Sequence, residues 1–171
     1  MGTLTGAQLA QNIRKQIAEF EKACKGVDES TALRNPVGRW SPKEILSHLL
    51  GPDESGHLPM LKAFIDQDNP TVYMEAANPF FTEKRAEMSF AQLLSKVTAE
   101  YDRLAKFAAT LTSDELDKQA RVPMLKETPL GEFPTLEVML SMLCGMEGSH
   151  IQFHTNHMRE ILDVVGTAAK E

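Results

Sequence analysis

Residues 135–165, TLEVMLSMLCGMEGSHIQFHTNHMREILDVV, carry a stripe of side chains spaced alternately four and three positions apart. At 3.6 residues per turn, this spacing places the stripe on one face of a helix, within an arc of roughly 100°. We therefore predict one long helix from Thr135 to about Val165, with this face turned toward a protein core. The side chains of the stripe are Leu136, Leu140, Leu143, Glu147, His150, His154, His157 and Ile161.

The middle of the stripe is polar, although both of its ends are aliphatic. Burying such groups without partners costs on the order of 1–3 kcal/mol each, so something must satisfy them. A divalent metal ion can do so, because His150 and His154 lie four residues apart and can share one ion. A third ligand is expected from a neighbouring helix, where His48 is the natural candidate. The alternative is a metal-free bundle whose histidines form a hydrogen-bonded network.

Three further segments show helical periodicity. The first covers residues 9–24, with apolar side chains every three or four positions. The second opens with the capping box of residues 41–44, SPKE, is interrupted by Gly51-Pro52 and continues over residues 58–65. The third begins with a capping box at Ser89 and carries an apolar stripe to Leu111.

The segments between these helices lack helical or strand periodicity. We expect an ordered loop over residues 68–88, a short helical turn beginning at Thr112, and a loop or small irregular hairpin over residues 120–134. Four amphipathic helices in a chain of 171 residues predict an all-α fold, a four-helix bundle forming a single domain over residues 1–171.

Composition excludes several classes of function. The net charge is −6 and the basic residues are scattered, which argues against nucleic-acid binding. No apolar run has the length of a membrane span, and the first residues lack the pattern of a signal peptide, so we expect a cytoplasmic protein without a membrane partner. Cys24 and Cys144 lie among apolar residues and are predicted to be buried free thiols.

Two motifs resemble the signatures of a known family. Residues 40–49, WSPKEILSHL, resemble the helix-two motif of the DinB/YfiT-like superfamily. Residues 150–162, HIQFHTNHMREIL, resemble its last-helix motif, H-x-x-x-H-x-x-Q-I-R-x-L-L. Trp40, just before the helix cap, is expected to pack against the end of the bundle rather than bind substrate.

The resemblance implies an up-down-down-up four-helix bundle that holds one metal ion, Zn²⁺ or Ni²⁺. It implies three ligands at His48, His150 and His154. The sequence departs from the family pattern at His157, where the family has glutamine. His157 can then be a fourth ligand, a hydrogen-bond partner for water at the metal, or a proton carrier.

Three neutral ligands leave an open coordination position, as in catalytic metal sites. The resemblance implies a metal-dependent enzyme acting on a small molecule, either a hydrolase or a transferase that uses a low-molecular-weight thiol of bacteria. Homodimers are common in the family. The alternative is a non-catalytic bundle that binds a metal or another ligand, such as a sensor or stress protein.

Other titratable residues are weaker candidates. Glu147, placed on the stripe one turn before His150, either accepts a proton or orients a ligand as a catalytic residue, or pairs with a basic side chain of another helix. Asp53, Glu54 and His57 follow the Gly51-Pro52 break and either line the mouth of a pocket or are solvated.

Overall fold

Helices make up most of the computed structural model, which describes residues 4–36, 38–52 and 56–167. The described residues contain no extended strand, only isolated bridges. In chain order the helices are α1 (Gly6–Ala23), α2 (Glu29–Ala32), α3 (Pro42–Leu50), α4 (Leu58–Asp66), α5 (Glu83–Glu87), α6 (Phe90–Thr110), α7 (Ser113–Leu116), α8 (Leu136–Leu140) and α9 (His150–Thr167).

The helix starts follow local sequence signals. Ser41 and Ser89 accept hydrogen bonds from the third backbone N–H of α3 and α6, and Glu44 and Gln92 bond back to the cap. Thr112 forms the same reciprocal arrangement at the start of α7. These capping boxes satisfy backbone donors that a helix leaves unpaired at its first turn. The predicted starts of all three helices are therefore confirmed.

Contacts between helix ends define the direction of α6 and α9 relative to α1. The start of α1 lies against the end of α6, where Gly6 meets the Ala108 carbonyl, so these helices are antiparallel. Asn12 Nδ2 donates to the Gly145 carbonyl ahead of α9, and Glu19 lies 3.9 Å from Arg159 farther along it. The helices α1 and α9 are therefore parallel.

The helix α3 runs in the opposite direction to α9. Near the end of α3, His48 meets His150 at the start of α9, and Arg39, ahead of α3, pairs with Glu160 late in α9 at 3.0 Å. Taking α1 as up, the long helices α1, α3, α6 and α9 run up, down, down and up. The predicted four-helix topology is confirmed.

The core is formed by the inner faces of these helices. Cys24 and Cys144 are free and buried within it, as expected. No helix within the described ranges is long and apolar enough to cross a bilayer. The largest fully buried side chains are Tyr101, Phe20, Phe64, Leu9, Ile13, Ile45, Leu46, Leu49, Leu61, Leu93, Leu104 and Leu136.

The prediction of one continuous last helix is wrong. After α8, residues Ser141–Gly145 form a single π-helical turn, Met146 is extended, and α9 begins only at His150. Gly145 lies so close to α1 that a Cβ there would be 2.9 Å from Leu9 Cδ2. Gly148 then takes a left-handed conformation with φ of 78°. The helix is therefore interrupted by the packing of Gly145 against α1 and by the left-handed turn at Gly148.

The break removes Glu147 from the predicted stripe. Its side chain is exposed in the turn before α9 and lines a surface cavity beside Asn12 and Lys15 of α1. The expected alignment of Glu147 with the histidines was based on an unbroken helix and is wrong. The catalytic role of Glu147 stays a prediction, without the support of that alignment.

The two long connections pair with each other. Val72 N–H donates to the Arg121 carbonyl at 2.8 Å, and Arg121 N–H donates to the Pro70 carbonyl at 2.8 Å. Val122 N–H donates to the Glu132 carbonyl, which closes the irregular hairpin predicted over residues 120–134. The loop over residues 68–88 is ordered as predicted, and it also contains the short helix α5.

The contact of Gly6 with α6 leads to a testable prediction. A Cβ at Gly6 would lie 2.3 Å from the Ala108 carbonyl oxygen and 2.9 Å from the Leu111 carbonyl oxygen. Helix propensity alone would favour alanine by about 1 kcal/mol, but the backbone of α6 must move to accept it. We expect Gly6→Ala to lower the free energy of unfolding by about 1–3 kcal/mol in urea titrations.

The exposed neighbour Ala7 provides the control. Ala7→Gly should lower the free energy of unfolding by no more than about 1 kcal/mol, because it changes only the helix propensity at an exposed position. A Gly6→Ala protein at least as stable as the original would contradict the close packing of α1 on α6.

Candidate metal centre

Three histidines from two helices converge in the core of the bundle. His48 Nε2 lies 2.8 Å from His150 Nε2, which lies 3.1 Å from His154 Nε2. His48 and His154 are buried, and His150 is partly buried. Among the described residues, these three form the one group whose candidate ligand atoms lie within 4.8 Å of one another and could hold a metal ion.

Hydrogen bonding to the backbone orients the first of these histidines. His48 Nδ1 lies 2.7 Å from the Asn78 carbonyl oxygen, which is an acceptor only. His48 therefore carries its proton on Nδ1, and its Nε2 presents a lone pair to the other two rings. Such a partner on the second ring nitrogen is typical of histidines that bind metals.

Hydrogen bonds among neutral imidazoles cannot satisfy the whole group. His48 Nε2 accepts one proton, which His150 Nε2 must then supply, and His154 Nε2 is left to compete for the same hydrogen. A divalent ion instead accepts all three lone pairs. Nitrogen ligands about 2.0–2.1 Å from zinc stand roughly 3.3 Å apart in a tetrahedral site, near the separations found here. The residues present therefore fit such an ion.

The protonation states of the ligands also fit metal binding. Burial, together with the smaller effect of the neighbouring histidines, lowers the pKa of His150 to about 3 and that of His154 to about 2. Burial also lowers the pKa of His48, against the opposing effect of its hydrogen bond to Asn78. All three imidazoles are thus neutral at pH 7, the form that binds a metal.

Aromatic rings enclose the histidines on several sides. Trp40 is stacked on His154 with ring centroids 6.0 Å apart and packs against His48 at 4.9 Å. Phe80 is stacked on His48 at 6.1 Å, and Phe153 meets His154 edge-on at 5.0 Å. From the sequence, Trp40 is expected at the end of the bundle, but the structure places it against two of the three histidines.

A buried arginine connects the loop over residues 68–88 to α3. Arg85 Nη1 donates to the Ser47 carbonyl at 2.8 Å and to the Phe80 carbonyl at 3.2 Å. Ser47 Oγ donates to the same Phe80 carbonyl at 2.9 Å. These bonds position the two loop residues that contact His48, namely Asn78 through its carbonyl and Phe80 through its ring. No pattern in the sequence indicated that Arg85 or this loop is part of the site.

The fourth histidine of α9 lies beside the group. The ring centroids of His157 and His154 are 5.9 Å apart, and His157 is not among the converging ligand atoms. Burial lowers its pKa, as does Arg39, while Glu160 opposes them. This placement does not support His157 as a fourth ligand. It leaves the other two expected roles, a hydrogen-bond partner for water at the metal or a proton carrier.

The fifth histidine, His57, also lies near the site, and the sequence did not indicate this position. Its backbone N–H donates to the buried Glu100 Oε1 at 3.0 Å, and its own Nε2 is buried. Burial lowers the pKa of His57, the Glu100 carboxylate raises it, and His48 lowers it again. His57 is therefore not a solvated side chain. Asp53 and Glu54 lie outside the described residues.

Comparison with solved structures supports the fold. The chain is similar to YfiT from Bacillus subtilis, described as a probable metal-dependent hydrolase with an unusual four-helix bundle topology. The TM-score is 0.71 at 17% sequence identity, and the match covers 94% of this chain and 87% of YfiT. Two short motifs indicated a resemblance to the DinB/YfiT-like superfamily, and this resemblance is confirmed for the fold. No family model matches the sequence, and no curated protein matches it.

The lowered pKa values predict how stability depends on pH. Above the unfolded-state pKa of about 6.5, His150 and His154 are neutral in both states. Below it the unfolded chain binds protons, whereas folded His150 remains neutral down to a pH of about 3. We therefore expect the unfolding free energy of metal-free protein to fall as pH decreases from about 6.5, by at most about 1.4 kcal/mol per pH unit for each histidine.

Urea titrations of chelator-treated protein between pH 7.5 and 5 measure this slope. The double variant His150→Gln, His154→Gln should have a shallower slope over the same range, because glutamine does not titrate. Equal slopes in the two proteins would show that these histidines are not buried in neutral form.

Proposed function

We propose that the protein binds one divalent metal ion through His48, His150 and His154 and is a metal-dependent hydrolase acting on a small molecule. The observation that carries the proposal is the convergence of three Nε2 atoms inside the bundle. The metal proposed is Zn²⁺ or Ni²⁺, because both accept neutral imidazole ligands. The shared fold with YfiT, itself described as a probable metal-dependent hydrolase, is consistent with this assignment.

The donor set favours a catalytic role over a structural one. Structural zinc sites are closed by four protein ligands, whereas catalytic sites have three and keep a position for water or substrate. Within the described ranges, no fourth histidine, cysteine or carboxylate joins the three histidines. When bound there, a divalent ion would supply a Lewis acid that lowers the pKa of a water or thiol.

The surrounding residues have separate roles in this proposal. The Asn78 carbonyl keeps the His48 Nε2 lone pair directed at the centre, and the rings of Trp40 and Phe80 limit access of bulk water. His157, next to His154, is in a position to hold a proton close to the reacting group. Its Nδ1 is buried and makes no hydrogen bond to any described residue.

Metal content provides the first test. Purified protein should contain about one equivalent of zinc or nickel per chain by elemental analysis, and His150→Ala or His154→Ala should remove it. His157→Gln is the matched control on the same helix and should retain the metal. Circular dichroism checks that the variants remain helical. Absence of a stoichiometric metal in the original protein, or its retention in both alanine variants, would rule out the site.

Turnover provides the second test. We expect the metal-loaded protein to hydrolyse members of an ester and amide panel, with activity lost in His48→Ala and on chelation. A parallel panel of low-molecular-weight thiols with electrophiles tests the thiol-transferase alternative. Activity confined to the thiol panel would replace hydrolysis by thiol transfer. Inactivity on both panels with the metal bound would favour a non-catalytic metal-binding protein.

A further inference from the structure

Phe153 of α9 is an exposed aromatic side chain that contacts the histidines. It is 62% exposed to solvent. Its ring meets His154 edge-on, with the ring centroids 5.0 Å apart, and lies 6.0 Å from the ring of His157. Isolated apolar side chains are common on protein surfaces, so exposure alone does not mark a binding site. Phe153 differs from them because it contacts a proposed metal ligand and the neighbouring His157.

Helical spacing places Phe153 on the histidine side of α9. It follows His150 by three residues and precedes His157 by four, and such intervals bring side chains together on one side of a helix. Neither burial nor helix propensity explains a phenylalanine here, because the ring is mostly in water and aromatic residues are only moderate helix formers. Recognition of a ligand beside the histidines does explain it.

Two further aromatic rings lie beside the cluster and are less exposed. Trp40 is half-buried, is stacked on His154 and packs against His48. Phe80 is also half-buried and is stacked on His48. Trp40 and Phe153 therefore both contact His154, one with its ring parallel to the imidazole and the other nearly perpendicular to it. A group bound beside His154 thus meets aromatic surface from α9 and from the segment that precedes α3.

Two charged side chains near His157 offset each other. Arg39 lowers the pKa of His157 and Glu160 raises it, and these two residues form an ion pair with each other at 3.0 Å. Their pairing leaves them little net charge with which to select a charged group. Apolar contact is the recognition that Phe153 and Trp40 offer, since removing exposed phenyl surface from water is favourable.

We propose that Phe153 and Trp40 form a specificity subsite for an aromatic group on the substrate of the metal centre. This inference rests on the proposed function and deepens it, because it names the substrate class, namely small esters or amides that carry an aromatic group close to the bond that is hydrolysed. Aromatic rings pack best edge-to-face or offset-stacked, and the exposed ring of Phe153 is open to either arrangement.

Benzyl alcohol and ethanol are the probes for this subsite, because they share a hydroxyl group and differ in the aromatic ring. Trp40 is the single tryptophan of the chain, so its indole N–H gives one resonance in NMR spectra. Each alcohol is titrated into the protein as purified and again after chelation. We expect benzyl alcohol to shift the Trp40 indole and the Phe153 amide resonances saturably, and ethanol at the same concentrations to cause no saturable shift.

Variants assign the binding to Phe153. Phe153→Ala should weaken the binding of benzyl alcohol by about 3- to 10-fold, because it removes one aromatic pair. Phe153→Tyr retains the ring and should stay within twofold of the original protein. Phe153→Ala should also retain the metal content of the original protein, because Phe153 is not a ligand.

Phe133 provides the matched control. It is exposed to a similar extent, 56%, and lies in the loop over residues 120–134. Phe133→Ala therefore removes a comparable ring elsewhere on the surface and should leave the affinity for benzyl alcohol within twofold of the original.

Ester hydrolysis gives a second measurement on the metal-loaded protein. With benzyl acetate and ethyl acetate as substrates, Phe153→Ala should raise KM for the benzyl ester by a similar factor and leave KM for the ethyl ester and both kcat values within twofold. An equal change in KM for the two esters would contradict recognition of the aromatic group.

Two binding results would overturn the proposal. One is the absence of a saturable shift of the Trp40 indole with benzyl alcohol in both preparations. The other is equal weakening by Phe153→Ala and Phe133→Ala, which would mean that benzyl alcohol binds without preference for this site. Neither result depends on metal content or turnover. The subsite can therefore fail while the metal-dependent function stands, and benzyl alcohol can bind beside Trp40 in a protein that proves to hold no metal.

Discussion

Three neutral imidazoles that meet inside an apolar bundle impose the main constraint on this structure. Each ring must lose its hydration without gaining a proton, because a buried cation without a partner is far more costly than a neutral ring. The fold meets this constraint by holding His48 with a backbone carbonyl and by placing aromatic rings against His48 and His154. The neighbouring loops and caps can be understood as the means of keeping that arrangement fixed.

The loop over residues 68–88 is central to that support. It is not part of the bundle, yet it supplies the Asn78 carbonyl, the Phe80 ring and the Arg85 side chain that connects it to α3. A long connection in a small bundle would ordinarily cost conformational entropy without adding core. Here it surrounds polar groups that helices alone cannot enclose, because each helix presents only one face to the centre.

The sequence predicted the features that depend on local spacing. Capping residues such as Ser41 and Ser89 specify helix starts through bonds within one turn, and the four-residue interval of His150 and His154 places both rings on one side of α9. The break at Gly145 could not be predicted, because it depends on contact with Leu9 of a distant helix. The same holds for Asn78, which acts through a carbonyl that every residue possesses, and for Trp40, whose contacts arise only when α3 packs against α9.

The separation of α3 and α9 along the chain also governs when the histidine cluster can form during synthesis. His48 and His150 are 102 positions apart in the chain. At translation rates of about 5–20 residues per second, the first of them is made roughly 5–20 s before the second. A nascent chain therefore carries His48 without His150 and His154 while residues 49–149 are made, and it acquires the complete set only with α9. The order of helices along the chain thus completes the proposed metal site only when the rest of the bundle is available to surround it.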